Sequence, residues 1–150
     1  KRIKELGEIK IEVARQKAEQ KVHYAVSALA RISDNIAFAT LPWKGDAYYL
    51  GLANVLKKPE FQEAIRVSTV IEMLEDKDHF MEFLARLELG DDIAVFIGRE
   101  NLLSEMSSCT MLATNYAYDA KHYGVLGVLG PTRMNYPRNI AALEAVKNDI

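Results

Sequence analysis

Cysteine is nearly absent from this chain: Cys109 stands alone, which excludes an internal disulfide and a metal centre built from thiolates. Proline is scarce too, and none of the four falls before Pro42, so nothing interrupts the first forty residues. No apolar run approaches the length of a membrane span and no secretory pattern opens the sequence, so a cytoplasmic protein with no membrane partner is expected. A surplus of one charge is also missing. The net charge of −2 does not fit a free-standing DNA-binding domain, which carries a basic excess. The sequence opens on Lys1 rather than Met, and the expectation is an excised fragment.

Signatures of catalysis are lacking as well. The serines form no Gly-x-Ser-x-Gly elbow, and Gly124, Gly127 and Gly130 match neither a dinucleotide fingerprint nor a phosphate-binding loop. His23, His79 and His122 fall on two helices and a loop, without the spacing of metal ligands. Cys109 opens a strand with no histidine nearby and reads as a buried, inert thiol. Asp91 and Asp92 read as turn residues. A non-enzyme without cofactor or metal is expected.

What remains is an ordinary globular pattern. With 150 residues, 49% of them hydrophobic, the chain is long enough for one domain with a proper core. Lys1 to Ile32 reads as one long helix with a buried stripe of Val22, Ala25, Val26, Leu29 and Ile32. Its first half is thinner: Ile3, Leu6, Ile9 and Val13 stand among dense charges, and residues 1–22 hold seven Lys or Arg against four Glu. The sustained heptads of a long coiled coil are not present. Ser33-Asp34-Asn35 ends the helix. Strands follow at 36–41 and 47–50, close enough to pair antiparallel across the turn 42–46. Residues 60–89 read as helical in more than one piece: Pro59 fits a first turn with Glu60 and Glu63 behind it, Thr69 has capping-box spacing to Glu72, and Asp76 or Asp78 caps a later piece. Strands are expected again at 93–97 and 109–118, with a short helical turn at 102–106 between them, started by Asn101.

The stretch from Gly124 to Val146 organises the rest. Val125 and Leu129 point one way and Leu126 and Val128 the other, so this strand has no polar face and belongs in the middle of a sheet. Gly130-Pro131 stops it, Asn135 caps a helix with Pro137 in its first turn, and Ile140, Leu143 and Val146 form that helix's buried stripe. The order of elements makes an α+β domain around a mainly antiparallel five-stranded sheet. The bland reading of the glycines is close approach of neighbouring layers. Arg133, just before a helix N-terminus, reads either as a contact for an anion or as a side chain that pins its own loop.

The run Gly-Val-Leu-Gly-Val-Leu-Gly-Pro-Thr-Arg-Met-Asn-Tyr at 124–136 resembles the C-terminal signature of the HrcA family of heat-inducible transcription repressors. Two further stretches are similar to the same family: Gly51 to Phe61, matching at Asn54, Leu56, Pro59, Glu60 and Phe61, and Ile97-Gly98-Arg99-Glu100-Asn101. The resemblance covers about residues 28–146. It implies a connecting helix (1–27) leading from a winged helix-turn-helix domain that lies outside this sequence, then a GAF-like regulatory domain (28–150). It also implies a homodimer that represses chaperone operons, reads operator DNA only through the missing N-terminal domain, and works with the GroE chaperonin. The family carries an inserted dimerisation subdomain, for which the five-residue turn between the first two strands leaves no room. Arg133, Thr132 and Tyr136 are the candidate contacts for an effector or partner. Gly124, Gly127, Gly130, Pro131, Arg133, Met134, Asn54, Pro59 and Phe61 form a signature read as mainly structural. The alternative is a stand-alone GAF-like module for a small molecule, with a cavity on the sheet face opposite the main helices, near Arg133, Tyr116 and Tyr118.

Overall fold

A computed structural model describes residues 2–59, 64–97, 109–119 and 121–150, with side chains described for all of these except 2, 64–67 and 69. Phe61, Glu60, Glu63, the Gly98–Asn101 stretch and the expected helical turn at 102–106 lie outside the described residues. Helix α1 runs Arg2–Ser33, strand β1 Ile36–Leu41 and β2 Asp46–Leu50, joined by a 3-10 turn at Pro42–Lys44. Helices α2 (Leu52–Leu56), α3 (Ala64–Glu75) and α4 (Lys77–Arg86) follow. Strands β3 (Ala94–Ile97), β4 (Cys109–Ala117) and β5 (Tyr123–Pro131) lead into helix α5 (Tyr136–Asp149).

Among the described residues the strands form one five-stranded sheet in the order β2-β1-β5-β4-β3, antiparallel throughout. The strand with two apolar faces is its centre, as its pattern requires. Leu126 and Val128 enter the core shared with α1 and α5, together with Val22, Leu29 and Leu143. Leu129, with Val125 at its edge, enters the second core, where Val70, Leu74, Phe80 and Leu84 of α3 and α4 cover the opposite face. The sheet is therefore covered on both faces, with a cleft of about 270 Å³ left between α4 and the sheet beside Thr40, Met81, Leu84 and Val125, at the end of β5 away from Arg133.

Several expectations change in detail. Ile32 is 40% exposed, while Ala30 and Ser33 are buried. The burying face follows Val22, Val26, Leu29 and Ser33, and Ile32 sits about 100° away from it. Helix α3 passes through Thr69 without a new start, since residues 64–68 are already helical and leave no free N–H groups to cap. The break comes at Asp76, whose carboxylate accepts the His79 N–H at 3.3 Å and begins α4. Strand β5 continues through Pro131, which faces Cys109 at the last ladder position, where a missing N–H costs little. Helix α2, unforeseen in the sequence, starts at Gly51 (φ +94°) and is only five residues long.

Candidate functional site

The signature glycines line the centre of the sheet, and each gives room to a specific side chain. A Cβ on Gly124 would lie 2.5 Å from the ring of Tyr116, its cross-strand partner. One on Gly127 would strike the Phe38 ring and stand 2.5 Å from the Leu112 carbonyl oxygen. One on Gly130 would sit 2.6 Å from the Asn35 side-chain carbon. Two of the three thus belong to aromatic–glycine pairs across strands, in which the ring lies over the bare backbone. The Tyr116 hydroxyl, buried on the α1 side, donates to the Thr40 carbonyl, and burial raises its pKa. The Thr40 hydroxyl in turn accepts the Val125 N–H at 2.8 Å, just past the last β1–β5 pair.

At the far end of β5 the signature meets a polar junction. Helix α1 ends with Asp34 in the left-handed region (φ 54°), its N–H on the Ala30 carbonyl at 3.1 Å. Asn54, projecting from α2, donates to that same Ala30 carbonyl and to the Asn35 carbonyl, both at 3.0 Å. Buried Asn35 donates its amide to the Ser33 carbonyl and to the Asn139 side-chain oxygen at 3.1 Å each, and accepts from Lys58 Nζ at 2.6 Å. Lys58 Nζ also donates to the Asp34 carbonyl, setting a cation at the negative end of α1. Asn139 donates to the Asn135 carbonyl at 2.7 Å. Three elements, α1, α2 and α5, are held together here by the amides of Asn35, Asn54 and Asn139, and Gly51 and Gly130 supply the clearance. Asn35 and Asn139 were not foreseen as a pair. The available signal was Asn139 itself, a polar residue on the buried stripe of α5 ahead of Leu143 and Val146.

The loop after β5 resolves the roles of the expected contact residues. Tyr136 places its hydroxyl 2.9 Å from Thr110 Oγ1 and donates it to the Thr132 carbonyl, so Tyr136, rather than Arg133, pins the loop. Asn135 caps α5 by accepting the Arg138 N–H at 3.1 Å. Met134 is buried against the α1 core, while Thr132 and Pro59 are exposed. Arg133 is exposed and has no hydrogen-bond or ion-pair partner among the described residues. With Arg138 and Lys58 it borders a cleft of about 350 Å³ floored by Asn35 and Asn139, with Asp34 on its rim. Tyr116 and Tyr118 belong to the opposite end of the sheet, since Tyr116 pairs with Gly124 at the start of β5, about 20 Å of strand away. The three do not share a cavity.

Elsewhere two of the three histidines have a local partner. His23 packs against Tyr48 with ring centroids 4.1 Å apart and the rings tilted by 32°, and His122 Nδ1 lies 2.7 Å from Asp119. Among the described residues no cluster of His, Cys, Asp or Glu could hold a metal ion. Burial pushes the Cys109 thiol up to about 12, so it stays protonated at neutral pH. No described helix is long and apolar enough to cross a membrane.

Fold and site together define an α+β domain of GAF-like design whose special residues hold its own elements together. A family model described as the HrcA protein C terminal domain matches residues 2–140, and the chain belongs to the HrcA family. The heat-inducible transcription repressor HrcA of Shouchella clausii (strain KSM-K16) is 35% identical over 103 residues, covering 69% of this chain and 30% of the relative. The protein of the same name from Brevibacillus brevis (strain 47 / JCM 6285 / NBRC 100599) is 35% identical over 96 residues, or 64% and 28%. The chain thus matches less than a third of the length of these relatives. A solved structure described only as a hypothetical protein shares the fold, with a TM-score of 0.72 at 14% identity over 88% of this chain and 68% of its own.

Proposed function

We propose that this chain is the regulatory and self-association domain of a heat-shock transcription repressor that holds chaperone operons down. The observation that carries the reading is the match to the HrcA C-terminal domain across residues 2–140, with relatives named heat-inducible transcription repressors. In this reading residues 1–27 connect a DNA-reading winged helix-turn-helix domain to the regulatory domain at 28–150, and the cytoplasmic protein acts as a homodimer on an inverted-repeat operator. The GroE chaperonin supports repression, and the chain performs no catalysis of its own. A mobility-shift assay tests the division of labour. Residues 1–150 should leave the operator unshifted, whereas the same chain preceded by the DNA-reading domain should shift it. Specific binding by residues 1–150, or none by the longer protein, would overturn the assignment.

A second reading, a module that takes a small anionic ligand, has its support in Arg133. That guanidinium has no partner among the described residues and borders a cleft with Arg138 and Lys58. Thermal-shift screening of small anions against the chain and its Arg133→Ala variant separates the two readings, because a specific effector stabilises only the unmodified chain.

A further inference from the structure

Helix α1 carries two apolar faces, and the domain uses one. Val22, Val26 and Leu29 turn into the core, and Ile11, lower on the same face, borders a cleft with Trp43 and Tyr118. On the opposite side Leu6, Ile9 and Val13 are 56%, 58% and 43% exposed, and Tyr24 further along is 80% exposed. At 100° per residue these side chains lie roughly 180° from the core stripe. Leu6, Ile9, Val13, Gln16 and Gln20 are spaced three, four, three and four residues apart, which is the spacing of a short coiled-coil seam over two heptads.

The charges beside this seam choose the partner and its direction. With Leu6 and Val13 at the first seam position of each heptad, Glu5, Glu12 and Glu19 flank one side and Lys10 and Lys17 the other. In a parallel, in-register pair each flanking residue faces the one five places further along the other helix. Glu5 then meets Lys10 and Glu12 meets Lys17 of the other copy, twice over by symmetry. An antiparallel pair would set Glu against Glu and Lys against Lys. Glu19 is already engaged by Lys44 at 3.0 Å within its own domain, which ends the matched run where the helix enters the core.

We propose that the exposed face of α1 from Leu6 to Gln20 docks a second copy of this chain as a parallel two-stranded coiled coil. This deepens the self-association reading above and rests on it. Two heptads with Gln at two seam positions make a weak pair, and the opposed faces of α1 let it form without disturbing the domain. A parallel pair also brings both N-termini to the same end.

Sedimentation equilibrium of the chain from about 10 µM to 1 mM should show a monomer–dimer equilibrium. Val13→Glu should raise the dimer Kd by at least about tenfold while the melting temperature of the dilute chain stays unchanged. Glu5→Lys/Glu12→Lys and Lys10→Glu/Lys17→Glu should each dissociate alone and pair when mixed. Gln16→Cys should oxidise to a disulfide-linked dimer, since equivalent seam residues face each other only in a parallel pair; buried Cys109 does not compete. A dimer indifferent to Val13→Glu would overturn this surface and leave self-association standing. A dimer broken by Val13→Glu but not cross-linked at residue 16 would overturn the parallel arrangement. A monomer throughout the range would overturn both readings.

Discussion

The glycines of the signature, like Gly51, are crowded, whereas a Cβ added at Gly7, Gly45 or Gly90 would meet nothing within 4 Å. A Cβ on Gly127 has no direction in which to yield, with the Phe38 ring on one side and the Leu112 carbonyl on the other. Gly127→Ala should therefore cost about 2–3 kcal/mol as an overpacked core substitution, seen as a drop of roughly 5–10 °C in melting temperature. Gly7, within α1, has nothing within 4 Å of its added Cβ. Gly7→Ala should hold stability or raise it by up to about 1 kcal/mol, because alanine is the better helix former. If the two substitutions cost the same, the steric account of the signature is wrong. The sequence alone allowed the bland reading of these glycines, as places where layers approach. It could not identify Tyr116 and Phe38 as the rings concerned, because that requires the strand register.

Periodic elements were the most legible in the sequence. The two-faced apolar run at 125–129 assigned the central strand, and Asn135 with Pro137 marked the start of α5. Misreadings arose where a local pattern competes with its context. Thr69 has the spacing of a capping box, but a cap has a purpose only where the preceding residues are not helical. Ile32 suits an apolar stripe by type, yet the buried face had turned past it to Ser33. Least legible was the polar junction, since Asn35 and Asn139 are 104 residues apart and nothing local pairs them. The junction of α4 with the β1–β2 hairpin offers a test at this scale. Lys77 Nζ lies 3.0 Å from Asp46, whose carboxyl is held below its ordinary value chiefly by that bond, against some opposing desolvation. Both side chains are more than a third exposed, so the contact is worth about 0.5 kcal/mol after solvent screening. A carboxyl whose pKa falls on folding stabilises the fold fully above about pH 4 and loses that contribution as pH drops through the folded value. Asp46→Asn should thus be less stable than the parent chain at pH 7 and equal to it near pH 2, by urea denaturation at each pH. A gap that persists in acid would assign the effect to something other than this charge.

Across the whole molecule the buried contacts of α1 begin at Val22, while the helix itself begins at Arg2. About 30 Å of helix therefore lies ahead of its fully buried segment, held to the domain there at the surface, by Glu19 to Lys44 and beside Trp43 and Tyr118. Such a length of helix is a lever. A tilt of about 10° at the anchorage, within the range that small sliding of packed helices allows, moves the free end by about 5 Å. The fulcrum lies near the α1–α5 contact, and the far end of the anchored segment is clamped by Asn54, Lys58 and Asn35. A tilt set at that clamp would displace the opposite tip of the helix by far more than the clamp itself moves.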